Sequence, residues 1–264
     1  RPLYPVHRNN FAPRLGVAWD PTGEARTALR AGLGLFYLRE RLSPGLNIGG
    51  NPPFRVLRTG IRTLDSAEEP CPGCFSNSNG VPTAGREQRA ATPHNWQWNV
   101  VFQHEILRNT TFEVGYVGNK GNDLLKTHDA NQVRVGDRNN NGIQDRAEYA
   151  RLGPGIASAV RPFGVFGDTR ITLWDHAGES MYHSLQTQVI SRFGLGSHFQ
   201  ASYTLSRQEA NEPMDNSDGN LSANLTTLDL DNPEAEEGLA RTDRTHIFNT
   251  SLVLMLSSLE GRPA

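Results

Sequence analysis

Asn95 to Leu107 reads NWQWNVVFQHEIL, and its alternation decides the fold. Trp96, Trp98, Val100 and Phe102 fall at one parity, and Gln97, Asn99, Gln103 and Glu105 at the other. Successive side chains of a strand point to opposite faces, so this spacing separates an apolar face from a polar one; a helix would mix them.

The same pattern recurs outward from this stretch. Thr27 to Tyr37 (TALRAGLGLFY) sets Leu29, Ala31, Leu33, Leu35 and Tyr37 against Arg30, Gly32 and Gly34. TFEVGYVG sets Phe112, Val114 and Tyr116 against Glu113 and Gly115, and HFQASYTLS sets Phe199, Ala201, Tyr203 and Leu205 against His198, Gln200, Ser202 and Thr204. Arg14 to Trp19, Tyr182 to Phe193 and His246 to Leu256 alternate less cleanly, yet each reads better as a strand than as a helix. Seven strands and an all-β chain are predicted. The composition agrees, with 36% hydrophobic residues, 26 Gly and 16 Pro.

What joins the strands narrows the class. Residues 20–24 (DPTGE), 108–110 (RNT) and 194–197 (GLGS) are tight turns. The alternate connections, about 40–94, 126–180 and 207–242, run to about 35 to 55 residues, against a usual loop of about 4 to 6. A water-soluble sandwich would mix its connection lengths and use strands of about 5 or 6 residues. Strands of about 10 residues with short turns at one end and long loops at the other predict a transmembrane barrel of the outer-membrane type. The apolar face would then meet lipid, with Tyr37, Trp96 and Trp98 in an interfacial girdle. Arg30, Gln97, Asn99, Gln103, Glu105, Gln186 and Gln188 would face the lumen. No run approaches the roughly 18 apolar residues of a membrane helix, Leu252 to Leu256 being the longest near the end. Lys plus Arg is 26 against 28 Asp plus Glu, a net charge of −2 that gives no field for nucleic acid.

Four stretches also resemble a known family. Residues 10–39 (NFAPRLGVAWDPTGEARTALRAGLGLFYLR), 95–125 (NWQWNVVFQHEILRNTTFEVGYVGNKGNDLL), 182–207 (YHSLQTQVISRFGLGSHFQASYTLSR) and 243–254 (DRTHIFNTSLVL) are similar, in order, to successive strand pairs of Oar-like TonB-dependent outer-membrane receptors. They cover about 100 of the 264 residues. The resemblance implies about seven strands of a barrel of about 22. It also implies a signal peptide, an N-terminal sandwich, a plug domain and a barrel C-terminus beyond this sequence. The bacterial outer membrane, its lipid, the TonB system acting through the plug, and an unidentified transported ligand are the location and partners it implies.

Within the second long connection, Asp137 to Glu148 (DRNNNGIQDRAE) has the spacing of a twelve-residue calcium loop. Asp137, Asn139 and Asn141 would each give a side-chain oxygen, Ile143 its carbonyl, Asp145 a direct or water-mediated contact and Glu148 two oxygens, with Gly142 at the sharp turn. A polar Asn-Gly surface loop without calcium has the same look. Cys71 and Cys74 (EPCPGCF) fit a redox motif, half a zinc site or a small disulfide. The absence of a second CxxC or a His pair disfavours zinc, and the flanking Pro and Gly disfavour a redox helix, so the disulfide is the expectation. Glu209, Glu212, Asp215, Asp218, Asp229, Asp231, Glu234, Glu236 and Glu237 make the third connection acidic, which reads as a solvated loop or a divalent-cation attractor.

No HExxH, GxSxG or phosphate-binding glycine loop occurs, and His183 beside Ser184 has no evident acid partner, so no enzyme is expected. His104, Asp175 and His176 read as strand-end or loop residues. Two functions follow: a segment of an energised receptor that passes a ligand through its lumen, or a barrel anchor displaying adhesive or structural calcium-binding loops.

Overall fold

The computed structural model describes residues 9–38, 51, 58–59, 76–77, 84–86, 91–133, 136, 147, 151, 161–167, 169–194, 196–211 and 232–255. They form β1 Arg14–Trp19, β2 Thr27–Tyr37, β3 Arg58–Thr59, β4 Ser76–Asn77, β5 Ala84–Arg86, β6 His94–Leu107, β7 Thr110–Asp129, β8 Thr172–Phe193, β9 Ser197–Ala210, β10 Gly238–Leu239 and β11 His246–Val253. Two 3-10 turns, Gly164–Phe166 and Pro233–Glu236, interrupt the connections.

One sheet runs β1-β2-β6-β7-β8-β9, each strand antiparallel to the next, and β10 and β11 share the far edge of β9. All seven long strands expected from alternation are present, joined as hairpins in sequence order. The sheet is open, as a section of a larger barrel would be. Among the described residues, no helix is long and apolar enough to cross a membrane, which leaves strands as the spanning element.

The structure lengthens two strands beyond the sequence reading. β7 has 20 residues and β8 has 22, so the second long connection begins after Asp129 and ends before Thr172 rather than spanning 126–180. The cause is a break in phase. The β7–β8 register shifts between Gly121 and Leu124 and again between Leu124 and Lys126, and Asp123 takes φ +53. A bulge moves later side chains to the other face, which destroys the alternation that reveals a strand in sequence. The short β3, β4, β5 and β10 likewise lie inside connections that carry no periodic signal.

Register shows what each face presents. Trp19, Leu29, Phe102, Val114, Thr187, Tyr203 and Phe248 form one continuous cross-strand row, and Val17, Ala31, Val100, Tyr116, Leu185, Leu205 and His246 form the next. Many of these side chains are exposed, including Val17, Val100, Tyr116, Leu185, Leu205 and Phe248. An apolar surface of that extent is a membrane-facing surface rather than a wetted one. On β7 the apolar side runs from Phe112 to Gly118 and ends at Lys120. The ten residue steps from Thr110 to Lys120 rise about 34 Å at roughly 3.4 Å each, or about 26 Å of height at a strand tilt of about 40°. The apolar band of such barrels is about 25 Å tall.

Since about 9 to 11 residues suffice to cross, nearly half of β7 and β8 stands beyond the band. The buried residues concentrate there: Ala84, Leu124, Val133, Ile171 and Trp174, with Lys126, Thr127, Asn131 and His176. β5 runs parallel to the start of β8 through Ala84↔Thr172, on the edge that β9 has left. The hairpin therefore carries a small packed core of its own.

Candidate functional site

The polar face is assembled by register alone. Arg30 stands opposite Val101, Gln97 opposite Gly34, Asn99 opposite Gly32, and Gln103 opposite Ala28. Across β7, Gln103 meets Glu113 and Glu105 meets Thr111, while Gln186 and Gln188 of β8 meet Gly115 and Glu113. Directly paired residues share a face, so Arg30, Gln97, Asn99, Gln103, Glu105, Gln186 and Gln188 all lie on the one opposite the apolar band. Tyr37, Trp96 and Trp98 lie on the apolar one, through His94, Leu35 and Leu33.

Charge is not spread evenly over the polar face. Near the short turns, the Arg30 guanidinium donates to Gln103 Oε1 at 2.8 Å and Arg26 Nε lies 3.5 Å from Glu105. Glu105, Glu113, Gln188 and Arg192 line a cavity of about 320 Å³ there. Towards the long connections the face turns to amides and aromatic rings, with Arg14 stacked 4.5 Å over the Phe36 ring.

Above the band, a set of polar contacts pins the projecting hairpin. Asn131, fully buried, donates from Nδ2 to the carbonyls of Gly167 (3.1 Å) and Thr169 (2.9 Å). Its Oδ1 accepts from Phe163 N, and its carbonyl accepts from Arg161 Nη1 at 2.6 Å. Asp129 Oδ1 accepts from the amides of Asn131 and Ile171. Together these bonds tie residue 131 to 161–171, the two ends of the connection that holds the calcium motif. Lys126, 5% exposed, pairs with Glu236 at 2.9 Å and donates to Asn211 O at 3.0 Å, joining β7 to the third connection. Asn211 in turn holds Glu179 N and Ala177 O. His128 Nδ1 lies 2.9 Å from Asp175 Oδ2 across the hairpin.

The calcium residues Asp137, Asn139, Asn141, Ile143, Asp145 and Glu148 lie outside the described residues, as do Cys71 and Cys74. Among the described residues no cluster of three or more His, Cys, Asp or Glu could hold a metal. His104 shares a hydrogen bond with Thr27 Oγ1, and His176 is buried. His183 bonds Tyr116 OH while Ser184 donates to Val117 O, and as strand neighbours they point to opposite faces. In the acidic third connection, Glu236 finds its cation on β7, at Lys126, far away in the sequence. Asn131, Lys126 and Asn211 carried no sequence signal, because each acts on a partner brought close by the hairpin extension.

A family model described as outer membrane beta barrel domain matches residues 1–264. No match was found among curated proteins. Among solved structures, the outer membrane transporter YddB from Escherichia coli is similar over 76% of this chain and 20% of its own, at 15% identity and a TM-score of 0.46. The siderophore receptor PirA from Pseudomonas aeruginosa is similar over 76% of this chain and 29% of its own, at 11% identity and a TM-score of 0.39. The chain thus spans about a fifth to a third of the length of these structures.

Proposed function

Because the chain belongs to the outer membrane beta barrel domain family, resident in the bacterial outer membrane, we propose that it is a wall segment of an Oar-like TonB-dependent receptor that passes a ligand through its lumen. The carrying observation is the register: the seven polar residues expected in a lumen share one face, and an apolar band of membrane height occupies the other. The short turns then point to the periplasm and the long connections outward. TonB would act through a plug supplied by the rest of the receptor. The test is uptake in cells: ligand accumulation that vanishes on deleting TonB supports transport, and unchanged accumulation contradicts it.

The second reading, a barrel anchor displaying structural calcium-binding loops, draws support from the packed core on the projecting hairpin. In this reading Asp137, Asn139, Asn141, Ile143, Asp145 and Glu148 hold calcium, and the Asn131 clasp fixes the ends of their connection. Extracellular loops of this kind bind with dissociation constants of about 10⁻⁴ to 10⁻³ M. Calcium at millimolar levels should protect residues 132–160 from protease, and Glu148→Gln should abolish the protection; cleavage indifferent to calcium rules the site out. Cys71 and Cys74 are assigned to a disulfide, which mass analysis of unreduced peptides checks.

A further inference from the structure

Within the proposed receptor reading, on which this inference rests, we infer that the outer half of the polar face is a subsite for a neutral, hydroxyl-rich ligand, that is, a glycan. Three neighbouring cross-strand rows make it. The central row is Arg14, Gly34, Gln97, Asn119, Tyr182 and Gln208, one residue from each of six consecutive strands. On its turn side lie Gly16, Gly32, Asn99, Val117, Ser184 and Ser206, and on its outer side Phe36, Asn95, Gly121 and Ser180.

No carboxylate belongs to any of these rows, and Asp243, which lies against Gln208, is occupied by the Gln208 amide and the Thr245 hydroxyl. The charges of the face gather nearer the turns, at Arg26, Arg30, Glu105 and Glu113. The one cation in these rows among the described residues, Arg14, already lies over Phe36. A cavity of about 400 Å³ touches Arg14, Phe36, Gln97, Asn99, Asn119 and Tyr182.

The glycines shape its floor. A Cβ on Gly34 would come within 2.9 Å of the Phe36 ring and one on Gly32 within 3.0 Å of Asn99 Oδ1, so both side chains lie low along the sheet because glycine is beneath them. Gln97, Asn99, Asn119 and Tyr182 make no side-chain hydrogen bond among the described residues, whereas Ser184 and Ser206 are spent on backbone carbonyls. Asn95 Oδ1 is shielded and has no partner among the described residues.

This leaves amides that can both donate and accept, beside the Tyr182 ring, with the Arg14 charge already held over Phe36. Sugar hydroxyls need paired donors and acceptors, and the C–H faces of a pyranose sit on aromatic rings. An anionic or ferric chelate would instead call for unpaired cations.

The test uses the complete receptor in detergent micelles, titrated calorimetrically with maltohexaose, cellohexaose, xylohexaose and chitohexaose, and with hexagalacturonate as the anionic comparison. At least one neutral hexamer should bind saturably. Gln97→Ala, Asn119→Ala and Tyr182→Ala should each weaken it about tenfold or more, while Val100→Leu on the opposite face leaves it unchanged. Heat-modifiable gel mobility verifies that each variant is folded. Binding of none of the neutral hexamers, binding indifferent to the three variants, or binding of hexagalacturonate alone would overturn the glycan assignment. Cross-linking to TonB in cells reads the receptor function separately, since it does not depend on ligand class.

Discussion

Asp20 illustrates how a single side chain sets a hairpin. Its Oδ1 accepts from the amides of Thr22 and Gly23 and from Thr22 Oγ1, and its Oδ2 accepts from Ala25 N at 2.7 Å. These bonds hold Gly23 and Ala25 at φ +68 and +56. The Thr22 hydroxyl first, then the Ala25 amide, hold the carboxyl below its ordinary range. A lowered folded-state pKa stabilises the turn above the unfolded value of about 3.9 and loses that contribution as pH falls through the folded one. The protection of the amides of residues 22–25, relative to their intrinsic exchange at each pH, should therefore fall below about pH 4, and Asp20→Asn should show the low protection already at neutral pH. Gly178 makes a different demand: a Cβ there would meet Leu124 O at 2.7 Å, a backbone atom. Gly178→Ala should cost about 1 to 3 kcal/mol, read as a lower urea midpoint in micelles.

At the scale of the element, the β7–β8 hairpin is where sequence and structure part. Up to Gly121 its strands are plain in the sequence, since Phe112, Val114 and Tyr116 keep step. Beyond it, register shifts between Gly121 and Leu124 and between Leu124 and Lys126 break the period, so the projecting half reads as loop. The polar face was legible for the opposite reason: an uninterrupted register carries alternation directly into facing. The clasp was not legible, because Asn131 and Arg161 are 30 residues apart and meet only once the hairpin extends. Asn131→Ala would leave the Phe163 amide and two carbonyls without their partner, at a cost of about 3 kcal/mol. Limited proteolysis should then cut 132–160 faster while the sheet stays intact. Lys126→Met would remove the cation that faces Glu236 at 2.9 Å in a nearly buried pair, costing about 3 kcal/mol and speeding amide exchange over residues 232–239.

For the whole molecule, the balance of faces is the governing fact. An open sheet with an apolar band on one side and amides, Arg30 and Glu105 on the other cannot satisfy both in water. Lipid against the band, and closure by further strands along the β1 and β11 edges, resolve both demands. The single-cysteine accessibility of the two faces in the native outer membrane tests this most directly. Cysteines replacing Gln97, Asn99 and Gln186 should react with a water-soluble maleimide. Those replacing Val100, Leu185 and Leu205 should react only with a lipid-soluble reagent. Equal aqueous labelling of both sets would contradict a membrane-spanning wall.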